Sequence, residues 1–380
     1  MQSQATYSFK IFCLVLGLVL LHARAARCGS SDENVIESFP IDADGDVLTV
    51  PVAIAGKNYT FMIDTGSSTT VFDTSLKALL RSTRTHAPLN GRSHVLVYEC
   101  DGITIGASKI PVGKTGICAG LSGMRDRSST DIHGIIGMNT LRRCVLHLDF
   151  DSGRGAFLKS SEGVPGEPIP LGAFECPTID VKIPEAGQVA FLVDTGFAGK
   201  VNGGLAAATL NALVKRTQFN VFRRDRTSVD IDGERKVRAG TLAEMSVGDF
   251  HHFDAFFMEG KENQLGLGYL CRFTVTFDFP KRKMFLEKAS QYARFLAHED
   301  IGAWLSLREG TLLVLDVSDN GLAHSVGLRP GDHVIRVNEC DTAEAAEFDL
   351  RRLLCRAPVA LSLRVVDATG GNPREVRLAQ

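Results

Sequence analysis

What constrains this chain most is a repetition. Residues 61–72 read FMIDTGSSTTVF and residues 191–199 read FLVDTGFAG, so an apolar run ends twice in Asp-Thr-Gly, at Asp64 and at Asp194. Other landmarks follow in the same order in both halves: Asn90-Gly91 and Asp232-Gly233, Gly106 and Gly248, Gly137 and Gly268, Asp149 and Asp278. The offset between partners drifts from one landmark to the next without disturbing their order, as it does where surface loops take up insertions. The halves are therefore expected to be two copies of one unit, and whatever Asp64 does Asp194 is placed to do as well.

Each copy reads as mostly β. Period-2 alternation and β-branched residues mark short strands in LTVPVAIAG (48–56), HVLVYECDGITIG (94–106) and VLHLDFDSG (145–153) of the first half. In the second half VDIDGERKVRAG (229–240) and FTVTFDFPKRKMFL (273–286) do the same. Asn90-Gly91 and Asp232-Gly233 favour tight hairpin turns because such residues tolerate positive φ, and they mark two projecting hairpins. Between the halves, SSEGVPGEPIPLGAFECP (160–177) is rich in Gly and Pro and reads as a linker.

The pattern divides the chain into residues 1–25, an N-terminal segment 26–44, a first lobe 45–158, a linker 159–177, a second lobe 178–290 and a further domain 297–380. With 380 residues, 44% of them hydrophobic, there is enough apolar surface for several cores. A formal net charge of -2 supplies no global field for a polyanion, so nucleic acid is not an expected partner.

Residues 1–25 carry Lys10, the apolar run Ile11–Leu21 and the small-residue site Ala23-Arg24-Ala25, the pattern of a cleaved secretory signal. The run is shorter than the ~20 apolar residues that cross a bilayer, so no stable membrane anchor is expected. Location is expected to be outside the cytoplasm, periplasmic or extracellular. Of nine cysteines, Cys13 lies in the leader, and the remaining even number permits disulfides without specifying them. His251-His252 lacks the spaced partners of a zinc site, reads as loop, and leaves no metal expected.

A strand ending in Asp-Thr-Gly puts its carboxylate at the mouth of a tight loop, where exposed N–H groups steady it. Two such acids facing one another in a dry cleft cannot both ionise. They share a proton, so one serves as general base and the other as general acid toward a water between them, and the pair titrates as a unit.

Both halves resemble the pepsin and retropepsin superfamily of aspartic proteases, especially the retropepsin-like proteins of bacteria, over residues 45–290. The resemblance rests on Ile63-Asp64-Thr65-Gly66-Ser67 and Val193-Asp194-Thr195-Gly196-Phe197. It rests also on a downstream apolar-apolar-Gly element, Ile135-Ile136-Gly137 and Gly266-Leu267-Gly268. It implies a mainly β, pseudo-symmetric bilobed unit of two acid-protease barrels. Asp64 and Asp194 would be the catalytic pair, supported by Thr65, Gly66, Ser67, Thr195 and Gly196. The two threonines would cross-link the loops. The implied activity is hydrolysis of peptide bonds in peptide or protein substrates by an aspartic endopeptidase, with no cofactor and no metal. The hairpins at Asn90-Gly91 and Asp232-Gly233 are candidate flaps, while Tyr98 reads as a packing residue. At residue 67 a hydroxyl stands where pepsin-like enzymes hydrogen-bond their acid. Phe197 cannot do this, which would leave Asp194 in drier surroundings and the better holder of the proton. One copy of each half, with different residues at 67 and 197, favours pairing within one chain and hence a monomer. The alternative is a catalytically inactive peptide-binding or scaffold protein on the same folds.

Residues 297–380 resemble a small α+β PDZ domain of the bacterial kind. Gly302-Ala303-Trp304-Leu305 matches the loop that receives a ligand's terminal carboxylate, and NGLAHSVGLRPGDHVIRVNE (320–339) matches the family's helix, Gly-Asp turn and strand. The resemblance implies a peptide C-terminus as ligand, bound by strand addition. Two readings of the module stay open, recruitment of substrate or partner and mere packing on the lobes, and Trp304 fits either a groove or a core. A second helix is expected in AEAAEFDLRRLL (343–354).

Overall fold

Alternating side chains decide how the first strands lie. In Thr49–Ile54 the residues Val50, Val52 and Ile54 are buried, and in Thr178–Ile183 the residues Ile179, Val181 and Ile183 are, the period-2 face of a sheet packed on one side. Each runs antiparallel into the strand that ends at an Asp-Thr-Gly, Lys57–Ile63 or Gly187–Val193. These relations come from a computed structural model that describes residues 32–42, 47–89, 93–125, 130–172, 175–199, 201–221, 226–230, 233–290, 292, 303–308, 310–317, 322–345 and 361–378.

The described structure is mainly β, with closed and half barrels consistent with an aspartic protease fold. The first lobe is a nine-stranded sheet in which Lys57–Ile63 lies beside Gly134–Ile136 in parallel, and the latter also pairs antiparallel with Thr70–Asp73. The second lobe is a seven-stranded sheet that repeats the arrangement: Gly187–Val193 lies parallel to Gln264–Leu265, which pairs antiparallel with Gly203–Ala206. In each, the central short strand passes behind the loop that follows Asp-Thr-Gly.

A six-stranded sheet joins the two lobes. Its order is Val35–Pro40, Arg154–Leu158, Val145–Asp149, Phe273–Asp278, Lys283–Lys288, Glu167–Pro170. The sheet reads the same from either edge: its central pair brings His147 opposite Thr276, and its outer strands match Phe39 to Gly155 and Ile169 to Met284. One buried apolar cluster runs through both lobes from Phe39 to Leu286, with Phe61, Phe72, Phe191 and Phe257 among its largest members. The lobes are therefore a single body across an approximate twofold.

Residues 159–177, read as a linker from their Gly and Pro, include the strand Glu167–Pro170, an edge strand where proline's missing N–H costs no ladder bond. Glu167 accepts from the Asp249 N–H at 3.1 Å, as Glu37 on the opposite edge accepts from the Ser108 N–H at 2.7 Å. His251 and His252 are not loop residues. They lie in the strand Phe250–Gly260, where the buried His252 ring nitrogen Nε2 is 3.0 Å from the Tyr269 hydroxyl. Cys100, Cys118, Cys144, Cys176, Cys271 and Cys340 are free thiols.

The two expected hairpins are present as Arg81–Leu89 with Ser93–Glu99 and as Arg226–Asp230 with Gly233–Val237. Gly233 is already a strand residue, paired with Asp230, while Asn90, Gly91 and Asp232 lie outside the described residues. Tyr98 is buried.

The C-terminal sheet has its own core, including Leu305, Leu312, Val314, Val334, Leu363 and Val376. Ala303–Arg308 is its edge strand, with Trp304 opposite Asp316 and a bulge between Trp304 and Leu305. The helical piece expected near Leu322 is Leu322–Ser325, and the Gly-Asp turn is tied by Asp332, which accepts from the Arg329 N–H and pairs with Arg374 at 2.6 Å. Gly302 and most of 343–354 lie outside the described residues. No helix among the described residues is long and apolar enough to cross a membrane.

Candidate active site

The two Asp-Thr-Gly loops meet at the twofold, and their threonines lock them together. Thr65 donates its hydroxyl to the Val193 carbonyl at 2.6 Å and accepts the Thr195 N–H at 3.0 Å. Thr195 mirrors this, donating to the Ile63 carbonyl at 2.9 Å and accepting the Thr65 N–H at 3.0 Å. Both threonines are fully buried. No water reaches these groups, so each cross-link also removes the penalty of an unpaired buried polar atom, about 1–3 kcal/mol apiece. Only a short β-branched hydroxyl fits: it donates and accepts at once while its methyl packs.

The same loops present the acids. Gly66 and Ser67 donate their N–H groups to Asp64 Oδ1 at 2.8 and 3.1 Å, and Gly196 and Phe197 donate theirs to Asp194 Oδ1 at 2.8 and 3.2 Å. The two carboxyls also share a hydrogen bond with each other across the twofold. Glycine is required by this approach. A Cβ on Gly66 would stand 2.6 Å from Asp194 Cγ, and one on Gly196 would stand 2.4 Å from Asp64 Cγ.

Burial raises the pKa of Asp64, opposed by the hydrogen bond from Asp194 and by the N–H groups of Gly66 and Ser67. Asp194 is raised well above the ordinary aspartate range, first by burial and then by the charge on Asp64. Burial and mutual charge thus favour a single proton held between the two carboxyls, with the larger upward shift at Asp194. Each residue keeps some surface open to solvent, as a group that meets substrate must.

Behind each loop the short central strand supplies the platform. The Asp64 N–H donates to the Ile136 carbonyl at 3.0 Å, and the Asp194 N–H to the Leu265 carbonyl at 2.8 Å. Met138 N–H then reaches the Ser67 carbonyl, and Leu267 N–H the Phe197 carbonyl. These contacts correct the expected repeat: the partner of Gly137 is Gly266, and the second element is Gln264-Leu265-Gly266. Gly266-Leu267-Gly268 is displaced by two residues because the second copy has polar Gln264 where an apolar residue is expected, while Gly268 is the second residue of the helix Leu267–Leu270.

Ser67 also departs from expectation. Its hydroxyl donates to the Thr69 carbonyl at 2.8 Å, so its N–H, and not its side chain, holds Asp64. Phe197 performs the same backbone task, which explains how residues so different occupy equivalent places. Of the C-terminal residues expected to take a peptide, Ala303, Trp304 and Leu305 share the edge strand, away from this dyad in sequence, and Ala303 and Leu305 belong to a separate core.

Sequence reasoning missed two neighbours of the dyad. Cys176 donates its thiol to the Gly66 carbonyl at 3.4 Å, and its pKa is pushed up to about 12 by burial and by the charges of Asp64 and Asp194. Burial first, and then the charge of Asp194, raise the pKa of Glu262. Neither belongs to a recognisable motif. One signal was readable: Glu37-Ser38-Phe39-Pro40-Ile41 and Glu167-Pro168-Ile169-Pro170-Leu171 are a further repeated element, and they form the opposite edges of the joining sheet.

No curated protein matches the chain. A family model for aspartyl proteases matches residues 50–140, which hold the first Asp-Thr-Gly and the Ile-Ile-Gly behind it, so over that stretch the chain is similar to the aspartyl protease family.

Proposed function

We propose that the chain is an exported aspartic endopeptidase that hydrolyses peptide bonds with a water activated between Asp64 and Asp194. The observation that carries the reading is the dyad: two enclosed carboxyls from two loops, held by matched N–H pairs and sharing one hydrogen bond. Paired carboxylates of this kind hold one proton between them in aspartic proteases. The similarity of residues 50–140 to aspartyl proteases supports the same class.

The chemistry follows from one shared proton, which the proposal assigns to Asp194. Ionised Asp64 takes a proton from the water as its oxygen attacks the peptide carbonyl carbon. Asp194 gives its proton to the carbonyl oxygen, and a neutral gem-diol forms. On collapse, Asp64 returns its proton to the leaving nitrogen, a gem-diol hydroxyl restores the proton on Asp194, and the C–N bond breaks. The hairpins Arg81–Leu89/Ser93–Glu99 and Arg226–Asp230/Gly233–Val237 are suited to cover a bound peptide and exclude water.

Export is proposed from the leader-like pattern of residues 1–25. The C-terminal module is proposed as a PDZ-like domain that takes a peptide C-terminus as an added strand. The open edge Ala303–Arg308 supports this mode, because an edge strand offers unpaired backbone groups. Both lobes come from one chain, and the working form is proposed to be a monomer.

Incubation with a diverse peptide mixture from about pH 3 to 8, a range that brackets a displaced carboxylate pair, tests the reading. Cleavage by the wild type that is absent in both Asp64→Asn and Asp194→Asn is the expected result. Three equally inert proteins, with peptide binding retained, would replace the enzyme by a peptide-binding scaffold.

A further inference from the structure

The strand pairings set a row of four residues beside each acid. In the first lobe Met62 lies opposite Ile135, Ile135 opposite Val71, and Val71 opposite Ile117. In the second lobe Leu192 lies opposite Gln264, Gln264 opposite Gly204, and Gly204 opposite Met258. Alternation turns Ile63 and Val193 into the core. Asp64, two residues after Met62, and Asp194, two residues after Leu192, therefore project on the face that carries the rows. The Ile136 and Leu265 carbonyls, which accept the N–H groups of the acids, directly follow Ile135 and Gln264.

The two rows are finished differently. Met62, Ile135, Val71 and Ile117 are all buried in one apolar cluster with Leu121 and Ile132, and Val95 and Val97 of the first hairpin pack on it. Leu121 and Ile132 come from the long connection between Thr115–Ala119 and Gly134–Ile136, so the first row is filled and covered by its own chain. In the second lobe only residues 261–263 join Phe250–Gly260 to Gln264–Leu265. There Gly204 has no side chain where Val71 fills the first row, and its neighbours Gln264 and Met258 are both half-buried. A Cβ on Gly204 would stand 3.2 Å from Gln264 Cγ, so the Gln264 stem borders the gap. Gly204 does not adopt a positive φ, and what the glycine contributes is therefore space and not backbone freedom.

Building on the proteolytic reading, we propose that Gly204, Gln264 and Met258 form a subsite that selects a long side chain ending in an amide, as in glutamine, next to the scissile bond. The stem of that side chain lies over Gly204 against the Met258 thioether. Its end pairs with the Gln264 carboxamide, a group that donates and accepts at once. The selection is one-sided, because the filled row of the first lobe leaves room only for a small apolar side chain.

Peptides that carry alanine, norleucine or glutamine at each position flanking a common cleavage site test this with the full-length protein, its Gly204→Ala and Gln264→Ile variants, and Asp64→Asn. Ratios of kcat/KM are taken within one preparation, so any inactive fraction cancels. At one position only, the wild type should favour norleucine over alanine by about tenfold or more, the value of methylenes held in a fitted pocket. It should favour glutamine over norleucine there by roughly threefold to tenfold, the range of one neutral hydrogen bond. Gly204→Ala should lower the preference for both long side chains. Gln264→Ile, which installs the residue of the first row, should erase the glutamine advantage and keep norleucine ahead of alanine. A norleucine-to-alanine ratio unchanged in Gly204→Ala, or a glutamine advantage kept in Gln264→Ile, overturns the subsite and leaves the protease standing. Absence of any cleavage beyond that of Asp64→Asn overturns both.

Discussion

The loop at Asp64 and the loop at Asp194 make the same threonine cross-links and the same pair of N–H bonds to their acid, then part company at the following residue. The first continues as Ser67-Ser68-Thr69 and re-enters a strand at Thr70. The second continues as Phe197-Ala198-Gly199 and re-enters only at Gly203. What survives between the copies is whatever the backbone and the buried threonines need, and what varies is the side chain that follows, Ser67 bonded to the Thr69 carbonyl and Phe197 packed on Gly266. A duplicated unit can therefore keep a symmetric scaffold while its two acids are raised to different extents, Asp194 more than Asp64.

The largest effect expected from breaking the symmetry is chemical. Asn at residue 64 or 194 keeps the Oδ1 acceptor for both N–H groups and removes only the ability to exchange a proton. Peptide turnover should fall by at least the roughly 10²–10⁴-fold attributed to one general acid or base, equally for both variants in single-turnover assays. A large residual rate in either one would mean that the acids do not act as a pair.

Next comes the scaffold. Thr65→Val orphans the Val193 carbonyl and the Thr195 N–H, and Thr195→Val orphans the Ile63 carbonyl and the Thr65 N–H. Two buried unsatisfied groups cost about 2–6 kcal/mol, and the symmetry requires similar losses from both substitutions in denaturant unfolding. A clear inequality would show that one lobe depends on the grip more than the other.

Acid should separate the lobes. Asp73, at the end of a first-lobe strand, accepts from the Ser75 and Leu121 N–H groups and pairs with Arg125 at 3.1 Å, and these partners outweigh burial to bring its pKa down to about 2. The equivalent place in the second lobe is Ala206, whose N–H is satisfied by the neutral Asn263 side chain. Since the folded value lies below the unfolded one of 3.8, the contribution of Asp73 is complete above about pH 4 and disappears as pH falls through about 2. Asp73→Asn should cost about 2 kcal/mol near pH 6 and little at pH 2, while hydrogen exchange in the second lobe should lack this acid step.

The smallest effect has the opposite sign. Asp194 is raised in the folded state, so its proton-bound form is favoured by folding and stability falls as pH climbs above the unfolded aspartate value. Asp194→Asn should melt higher than wild type at pH 7, by roughly 2–4 °C if about 1 kcal/mol is recovered, and the gap should close toward pH 3. A melting point unchanged or lowered at neutral pH would contradict a dyad whose burial and mutual charge raise Asp194.

Much of this was legible in the chain. Alternation placed the strands, the two Asp-Thr-Gly strings located both acids and both threonines, and the Gly-Asp turn of the last domain stands where its motif predicted. The errors share a cause. Gly268 was chosen over Gly266 because two glycines flank Leu267 and local pattern cannot say which of them caps the helix. His252 looked like loop because its buried partner, Tyr269, lies 17 residues away. The strand Glu167–Pro170 was hidden by its prolines, which an edge strand tolerates.

Local chemistry, then, was decided by sequence alone: which residues can end a strand in an acid, turn on a glycine, or satisfy a buried N–H with a short hydroxyl. The tertiary structure decided everything that depends on two distant segments meeting. It placed Asp64 against Gly196, turned the Ser67 hydroxyl away from the acid, and set the Cys176 thiol on the Gly66 carbonyl beside the dyad. Charge and burial act through space, and their effects on a carboxyl belong to its neighbours in the fold and not to its neighbours in the chain.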